Sequence, residues 1–262
     1  MSLPGMIACD LDGTLLRSDL SVSDRTVAAL AAVRTAGVPF VVVTGRPVRW
    51  LGVVLDRIGR YAEVICSNGA KILDVDGSVL IAWPITPPAL EIATRRLRDA
   101  LGDVHFAVER DAGMVKESGY RVRQDLAQPR DVAWDELVSQ PALKLLVRVP
   151  GADGDELLAR CTGLLRGLAT PTHSSLASGL VEVSADGVNK AAALDWLADR
   201  HGVRADQVLA FGDMPNDISM LRWAGRSVVV ADAHPEAKAA ADEVTESNDN
   251  DGVAVVLERL LD

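Results

Sequence analysis

The chain has few of the residues that indicate a disulfide scaffold, a zinc site or a membrane protein. Three of its 262 residues are cysteine, and Cys9, Cys66 and Cys161 show no metal-ligand spacing. The four histidines are scattered along the chain and form no cluster. No apolar run approaches the ~20 residues of a membrane helix, and residues 1–5 lack the features of a secretory signal. These absences predict a cytoplasmic protein whose cysteines serve as packing residues.

Two glycine-rich nucleotide-binding motifs are missing as well. Neither Gly-x-Gly-x-x-Gly nor the Walker phosphate loop occurs in the sequence. The 27 Lys and Arg residues are outnumbered by 37 Asp and Glu residues, which gives a net charge of −10. This charge argues against nucleic acid or an anionic membrane as the main partner. A phosphorylated ligand would therefore need positive charge supplied locally.

Four short apolar runs each end in polar residues suited to phosphate chemistry. Such runs, bounded by turn signals, are typical of parallel strands buried on both faces. Ligands of an open parallel sheet bind outside the carboxyl ends of its strands. The pattern therefore predicts a metal-and-phosphate site at one edge of a sheet. The runs and the residues after them are Met6–Cys9 before Asp10 and Asp12, Phe40–Val43 before Thr44, Val64–Cys66 before Ser67, and Val208–Phe211 before Asp213.

The order of strand and helix patterns changes twice along the chain. Both ends alternate strands and helices, which predicts an α/β fold with a Rossmann-like, doubly wound parallel sheet. Between Pro84 and Asp186 the pattern becomes that of an α+β unit, with helices over 87–101 and 154–165. We therefore expect a catalytic core formed by residues 1–83 and 186–262, interrupted by an inserted cap domain of residues 84–185.

Further elements are predicted within this frame. Ser21 or Ser23 could cap a helix that extends to Ala36, and a second helix is expected over 48–58. In the middle of the chain we expect a helical stretch near 131–138 and a strand near 170–174. After Asp213 the pattern indicates a helix near 217–224, a strand over 227–230 and a final helix over 253–260.

Asp10 and Asp12 are separated by one residue in a glycine-containing turn. Such a pair can divide its work, with one carboxylate attacking as a nucleophile and the other transferring protons. Gly13 lets backbone N–H groups turn toward a phosphate, and Thr14 can hydrogen-bond the loop. The alternative is an acidic strand-to-helix turn exposed to solvent.

The motifs together resemble those of the haloacid-dehalogenase-like phosphohydrolases, in particular the Cof-type branch with a large inserted α+β cap. They occur in the family's order and span nearly the whole chain. The matching segments are Asp10-Leu11-Asp12-Gly13-Thr14, Thr44-Gly45-Arg46, Ser67-Asn68-Gly69-Ala70, Gly187-Val188-Asn189-Lys190, Gly212-Asp213-Met214-Pro215-Asn216-Asp217 and Asp251-Gly252-Val253.

The resemblance implies a role for each matched residue. Asp10 would form an aspartyl-phosphate, and Asp12 would protonate the leaving alcohol and then activate water. Mg²⁺ would be held by the Asp10 carboxylate, the Asp12 backbone carbonyl and Asp213, with Asp217 nearby, through water or as a support. The residues implied to bind phosphate or substrate are Thr44, Gly45, Arg46, Lys190 and Asn216.

Several of these residues have simpler interpretations when each is considered alone. Arg46 could be a solvated residue of a first helical turn, and Lys190 could be a surface lysine. Asp217 could be an acid favoured by a helix dipole, and Asn68-Gly69 is a turn signal. One departure from the family is visible at Asp232, where a Gly-Asn-Ala segment is usual and Ala231-Asp232-Ala233 occurs instead.

The resemblance implies a Mg²⁺-dependent phosphatase acting on a small phosphorylated metabolite such as a sugar phosphate. A phosphotransferase or mutase of the same fold and a non-catalytic phosphometabolite-binding protein are the alternatives. We expect a monomer or a small homo-oligomer, with no nucleic-acid or membrane partner. The substrate itself is not specified by the sequence. Candidate substrate contacts in the insert are Glu109, Lys116, Arg121, Arg123, Thr172, His173, Ser174 and Ser175.

Overall fold

The structure is a computed structural model that describes residues 3–59, 63–122, 129–173 and 179–261. The strands are β1 (Met6–Cys9), β2 (Phe40–Val43), β3 (Val64–Cys66), β4 (Lys71–Leu73), β5 (Val79–Ala82), β6 (His105–Arg110), β7 (Gly113–Lys116), β8 (Arg130–Asp131), β9 (Lys144–Arg148), β10 (Ala169–Thr172), β11 (Leu180–Ala185), β12 (Val208–Gly212), β13 (Arg226–Val229) and β14 (Glu243–Val244). The helices are α1 (Asp24–Thr35), α2 (Gly52–Ile58), α3 (Pro87–Leu101), α4 (Trp134–Val138), α5 (Gly154–Leu165), α6 (Lys190–His201), α7 (Ile218–Trp223), α8 (Pro235–Ala240) and α9 (Gly252–Leu261).

The chain divides into two compact units. Met1–Ile81 and Asn189–Asp262 form the first unit, and Ala82–Val188 form the second. Buried apolar residues form a separate cluster within each unit. The second unit is therefore continuous in sequence, whereas the first is assembled from the two ends of the chain.

An eight-stranded sheet organises the first unit, in the order β14-β13-β12-β1-β2-β3-β4-β5. The pairs from β14 through to β3 are all parallel, and β3 pairs with β4 antiparallel. Every residue of β1 and β2 is buried, as expected for strands covered on both faces. The predicted α/β fold with a parallel-sheet core is confirmed.

One face of this sheet is covered by the first and last helices of the chain. Leu30 and Val33 of α1 and Val256 and Leu257 of α9 belong to the same buried cluster as the sheet residue Val42. The Ser23 hydroxyl caps α1 by accepting a hydrogen bond from the backbone N–H of Thr26 at 3.0 Å. Helix α9, the last helix, thus packs against α1, the first helix.

The second unit contains a six-stranded sheet in the order β10-β11-β9-β6-β7-β8. The neighbouring strands from β10 through to β7 pair antiparallel, and β7 pairs with β8 in parallel. Phe106 and Val108 lie at alternate positions along β6 and join a buried cluster that includes Leu97 of α3 and Leu157 of α5. These two side chains of β6 therefore pack against the helical layer of the second unit.

Three element predictions are corrected by the structure, and two of its elements had not been predicted. The helix expected over 48–58 is divided into a 3₁₀ turn, Val48–Trp50, and α2, which starts at Gly52, a residue of low helix propensity. The helix expected from residue 131 starts at Trp134, because residues 130–131 pair with β7 as β8. The strand expected to reach residue 174 ends at Thr172, and Ser174 is outside the described residues. The elements α8 and β14 had not been predicted.

All three cysteines are buried and none forms a disulfide, which fits their expected role in packing. Among the described residues, no helix combines the length and apolar character needed to cross a membrane.

Candidate active site

Four neighbouring strands bring their following residues to one edge of the first sheet. The strands β12, β1, β2 and β3 are adjacent and mutually parallel, so their carboxyl ends share that edge. Asp213 follows β12, Asp10 follows β1, Thr44 follows β2 and Ser67 follows β3. A hydrogen bond from the Asp10 backbone N–H to the Phe211 carbonyl, at 3.0 Å, continues the pairing of β1 with β12 into the loop.

Lys190 lies between two carboxylates at this edge. Its Nζ is 2.5 Å from Asp10 Oδ1 and 2.5 Å from Asp217 Oδ1, and its side chain has no solvent exposure. Lys190 is the first residue of α6, which is capped by Asn189 through a hydrogen bond from the Ala192 N–H. The helix therefore fixes the base of the lysine while the two acids fix its ammonium group. Lys190 is thus not a surface residue.

Asp217 also uses its second oxygen within the site. The backbone N–H groups of Asp213 and Met214 both donate to Asp217 Oδ2 at 3.0 Å. With Lys190 on Oδ1, both carboxylate oxygens of this fully buried residue are engaged. Asp217 therefore orders the loop after β12.

Asp213 is held by the loop that follows the neighbouring strand, β1. The Thr14 hydroxyl donates a hydrogen bond to Asp213 Oδ1 at 2.7 Å. Gly13 permits this approach, because a Cβ at position 13 would lie 2.4 Å from Asp213 Oδ2. The backbone φ of Gly13, +82°, also lies in the region that favours glycine. The loop after β1 and the loop after β12 are thereby joined side by side.

Asp10, Asp213 and Asp217 form a compact acidic cluster. Each offers a carboxylate oxygen, and these oxygens lie within 4.8 Å of one another. Burial raises the pKa of Asp10 well above its usual range despite the opposing charge of Lys190. Burial, followed by the charge of Asp217, raises the pKa of Asp213 to about 7, and Asp232 adds to this effect.

The charges of this cluster suit a divalent cation. Burial alone would lower the pKa of Lys190, but Asp10 and Asp217 raise it above its usual value, so the lysine stays charged. One ammonium group does not compensate three buried carboxylates. Oxygen ligands of this kind are those that hard divalent ions prefer, so the cluster could hold such an ion.

Arg46 forms a forked ion pair with Asp12. Its Nε donates to Asp12 Oδ2 at 2.7 Å and its Nη2 to Asp12 Oδ1 at 2.5 Å. The Asp12 side chain is 45% exposed, whereas that of Arg46 is 16% exposed. Asp12 is therefore more exposed than the buried acids Asp10, Asp213 and Asp217, and Arg46 is not simply a solvated residue.

A third group of contacts joins the loops after β2, β3 and β12. The Thr44 hydroxyl accepts from the Arg46 backbone N–H at 3.1 Å, and the Asn68 N–H donates to the Thr44 carbonyl at 3.0 Å. The Asn216 amide Nδ2 donates to Asn68 Oδ1 at 3.1 Å. Gly45 lies between Thr44 and Arg46 and is half-buried. Thr44 and Asn216 thus belong to one connected network.

The structural position of Asn68 had not been predicted. Ser67, Asn68 and Gly69 are three consecutive residues with positive φ, of 53°, 57° and 98°. Glycine and asparagine tolerate this left-handed region better than other residues do, so Asn68-Gly69 was a usable signal. The sequence indicated only a turn, and the contact with Asn216 depends on a pairing between distant segments.

The proposed substrate contacts of the insert have varied surroundings within the second unit. Arg121 is exposed, and Glu109 is buried. Lys116 pairs with Asp131 at 2.5 Å, and His173 Nε2 is 2.7 Å from Asp155 Oδ1. Thr172 is half-buried at the end of β10. Arg123, Ser174 and Ser175 lie outside the described residues.

The fold and the site together define a class of protein, one whose parallel α/β sheet carries an acidic cluster and a buried lysine at its carboxyl edge. The sequence profile of the haloacid dehalogenase-like hydrolases matches residues 7–257. The chain therefore belongs to the haloacid dehalogenase-like hydrolase family, and it is a Cof-type phosphatase within that family.

Individual relatives support this assignment. The HMP-PP phosphatase of Cronobacter sakazakii is 30% identical over 239 residues, which cover 87% of this chain and 85% of that protein. The 5-amino-6-(5-phospho-D-ribitylamino)uracil phosphatase YitU of Bacillus subtilis is 25% identical, with 96% and 95% covered. The structure of BT1666 from Bacteroides thetaiotaomicron, a phosphatase of the same superfamily, matches with a TM-score of 0.84 and 27% identity, covering 98% of this chain and 95% of that one. The chain is thus similar to small-molecule phosphatases over almost its full length.

Proposed function

We propose that this protein hydrolyses a small phosphorylated metabolite through an aspartyl-phosphate on Asp10, with Mg²⁺ bound at the acidic cluster. The observation that carries the proposal is the position of Asp10. It follows a central strand, its carboxylate is bonded to the buried Lys190, and it is two residues before Asp12. A carboxylate fixed in this way is a suitable nucleophile for phosphorus.

In the first step, an Asp10 oxygen forms a bond to phosphorus while the bond between phosphorus and the leaving oxygen breaks. Asp12 gives its proton to that leaving oxygen. In the second step, water attacks phosphorus and gives a proton to Asp12, and the bond between phosphorus and Asp10 breaks. Inorganic phosphate leaves, and both carboxyl groups return to their initial state.

The acidic cluster supplies the residues that would hold Mg²⁺. Asp10 and Asp213 would contribute carboxylates, and Asp12 would contribute its backbone carbonyl. Asp217, whose two oxygens already bind Lys190 and two backbone N–H groups, supports the site without binding the ion directly. When bound, Mg²⁺ neutralises charge and so lets a phosphate approach the Asp10 carboxylate.

The remaining site residues bind and orient the phosphate. Thr44, Gly45 and Asn216 belong to the connected loops after β2 and β12, and they would donate hydrogen bonds to phosphoryl oxygens. Lys190 would compensate negative charge on the group in transfer. Arg46 lies on Asp12 and would contact the substrate from that side.

The two parts of the chain would have different functions. Residues 1–83 and 186–262 would perform the chemistry, and residues 84–185 would select the substrate. The names of the relatives include a phosphorylated ribitylaminouracil, so a metabolite of that size is a reasonable substrate class here. If residues 84–185 select the substrate, substitution of the exposed Arg121 changes the ranking of metabolites more than it changes turnover of p-nitrophenyl phosphate.

The test is phosphate release from a panel of phosphorylated metabolites, with Mg²⁺ and with excess chelator. The wild-type protein is expected to release phosphate only with the metal. Asp10→Asn keeps the size of the side chain but removes the nucleophile, so turnover should vanish while the unfolding temperature is retained. Near-normal turnover by a folded Asp10→Asn variant would exclude the covalent route. Phosphate appearing on a second hydroxyl, rather than free in solution, would indicate a phosphotransferase.

A further inference from the structure

The motif Asp251-Gly252-Val253 supplies no group to the proposed reaction. In the structure, residues 248–251 lie just before α9 and contact three consecutive residues of the loop after β1. That loop begins with Asp10 and Asp12, the proposed nucleophile and the proposed proton donor. The end of the chain is therefore bonded to the loop on which both carboxylates lie.

Arg17 and Asp251 form a forked ion pair. Arg17 Nη2 lies 2.9 Å and 3.0 Å from the two carboxylate oxygens of Asp251, and Nε lies 3.2 Å from Oδ1. The Asp251 side chain is only 11% exposed. Its backbone φ is +59°, in the region that glycine adopts at the lowest cost. A side chain kept at such a position points to a use for it, and the use here is the pair with Arg17.

The same segment also holds the residues on either side of Arg17. The backbone N–H and the hydroxyl of Ser18 each donate a hydrogen bond to Asp249 at 2.8 Å. The buried Asn248 donates from Nδ2 to the Leu16 carbonyl, also at 2.8 Å. Three successive positions of the loop are thus fixed by one segment more than 230 positions further along the chain.

Leu16 connects these contacts to Asp12. Asp12 and Leu16 pair as an isolated β-bridge, and the Leu16 N–H donates to the Leu11 carbonyl at 2.8 Å. Leu16 is fully buried, whereas the Asp12 side chain is 45% exposed. The backbone of Asp12 is therefore placed through Leu16. A displacement of about 1 Å at a reacting group can cost about 10²-fold in rate, so this placement matters for proton transfer.

We infer that Asp251 is a positioning residue for Asp12. By binding Arg17, it holds the turn of residues 11–16 so that the Asp12 carboxyl reaches the leaving oxygen of the substrate. Asp251 acts through Arg17 rather than on the reacting atoms. This inference rests on the proposed function, because it takes Asp12 as the proton donor. The alternative is that these contacts only stabilise the fold.

Two substrates that differ in their need for a proton test the inference. p-Nitrophenol leaves readily as the anion, whereas phenol benefits more from protonation. The ratio of kcat/KM for p-nitrophenyl phosphate to that for phenyl phosphate is measured with Mg²⁺. Because kcat/KM covers the steps up to departure of the leaving group, the ratio reports on protonation by Asp12. A loss of folded protein lowers both values equally and leaves the ratio unchanged.

The variants are Arg17→Ala, Asp251→Gly, the double variant and Asp12→Ala. Glycine at position 251 fits the positive φ, so this change removes the ion pair without adding backbone strain. Arg25→Ala is the matched control. Arg25 also forms a forked pair with an acid 233 positions later, Glu258, but the two residues lie on α1 and α9 rather than on the loop after β1.

Asp12→Ala should raise the ratio by about 10²-fold or more, the usual contribution of a general acid. Arg17→Ala and Asp251→Gly should each raise it by about 10-fold. The double variant should match either single variant, since both changes remove the same contact. Arg17→Lys, which keeps the charge, should restore part of the wild-type ratio, and Arg25→Ala should retain all of it.

The outcomes separate this inference from the proposed function. If Asp12→Ala raises the ratio while Arg17→Ala and Asp251→Gly keep the wild-type value, the contacts are structural only and the inference is overturned. An equal rise in Arg25→Ala also overturns it, because any loosening of the chain ends would then have the same effect. A ratio unchanged in Asp12→Ala contradicts the proposed function itself, since Asp12 would then not protonate the leaving group.

Discussion

The two carboxylates that the sequence pairs, Asp10 and Asp12, have different surroundings in the structure. Asp10 is buried against Lys190, whereas the Asp12 side chain is 45% exposed and bound to Arg46. A nucleophile benefits from a fixed, dehydrated position, and a proton donor needs access to both the leaving group and water. The difference in exposure therefore supports the proposed division of roles, although the two residues are only two positions apart.

The first prediction concerns Asp12→Ala. With p-nitrophenyl phosphate, whose leaving group requires little protonation, the variant should still transfer the phosphoryl group to Asp10. Hydrolysis of the aspartyl-phosphate should then slow by about 10²- to 10⁴-fold, because no base activates the water. Rapid-quench kinetics should show one equivalent of nitrophenol followed by a slow phase. Steady turnover at the wild-type rate without such a burst would rule out the role of Asp12.

The second prediction concerns the charge of Asp213. Its pKa in the folded protein is raised to about 7, above the value of about 3.9 for an unfolded chain. The folded state therefore holds the proton more strongly, and metal-free stability falls as the pH rises from about 4 to 7. At pH values where Asp213 has lost its proton, bound Mg²⁺ would offset the cost of burying its ionised carboxylate.

Mg²⁺ should consequently raise the unfolding temperature more at pH 8 than at pH 5. A difference of at least ~2 °C corresponds to about 1 kcal/mol for a chain of this size. Thermal unfolding in chelator and in Mg²⁺ at both pH values measures it. Asp213→Asn, which cannot ionise, should show a smaller difference. Equal stabilisation at both pH values would contradict the assignment of Asp213 as a ligand.

At the level of elements, the sequence predicted where the strands lie in the chain better than it predicted which strands pair with one another in the sheet. The apolar runs before Asp10, Thr44 and Asp213 each form a strand, because apolar content and turn signals are local properties. The adjacency of β12 and β1 joins residues about 200 positions apart, and periodicity gives no partner for a strand. The ion pair of Arg46 with Asp12 was missed for the same reason.

Short elements also could not be predicted from sequence patterns. The two-residue strand β14 has too few residues to show an alternation, and it is defined by its pairing with β13. The left-handed segment at Ser67 and Asn68 is stabilised by backbone bonds to Arg46 and Thr44 on the neighbouring loop. Tertiary contacts thus determine conformations that the local sequence only permits.

The third prediction concerns the contact between this left-handed loop and helix α6. A Cβ on Gly69 would lie 2.3 Å from the carbonyl oxygen of Asn189, the residue that caps the helix of Lys190. Gly69→Ala must therefore displace the start of α6 and, with it, the Lys190 ammonium. We expect a loss of at least ~2 kcal/mol in the free energy of unfolding, together with a marked drop in kcat.

Gly37→Ala is the matched control for this prediction. Gly37 also has a positive φ, of 76°, but no described atom lies within 4 Å of the position that a Cβ would take there. This variant should lose only about 1 kcal/mol from backbone strain and keep its activity. Chemical denaturation and phosphate release measured on both variants make the comparison. Equal effects on activity would show that the approach of Gly69 to α6 does not position Lys190.

At the scale of the whole molecule, the net charge of −10 contrasts with the local cations of the site. Lys190 and Arg46 are bonded to acids, so neither creates an extended positive surface. A small phosphorylated metabolite can be bound by such enclosed groups, whereas a long polyanion would meet the negative charge of the rest of the chain. The charge distribution is consistent with a small-molecule phosphatase.

The last prediction concerns the independence of the second unit. Residues 82–188 are continuous in sequence, contain a complete six-stranded sheet, and bury their own cluster around Phe106, Leu145 and Val181. About 100 residues with such a core is a typical size for a domain that folds alone. The isolated fragment should therefore unfold cooperatively, with a dispersed amide NMR spectrum.

Replacing Phe106, which has no solvent exposure, by Ala should cost the fragment about 3–5 kcal/mol and abolish that dispersion. Replacing the exposed Ile92 of α3 by Ala should leave the spectrum dispersed, and a wild-type fragment without a cooperative transition would show that this core needs the remainder of the chain.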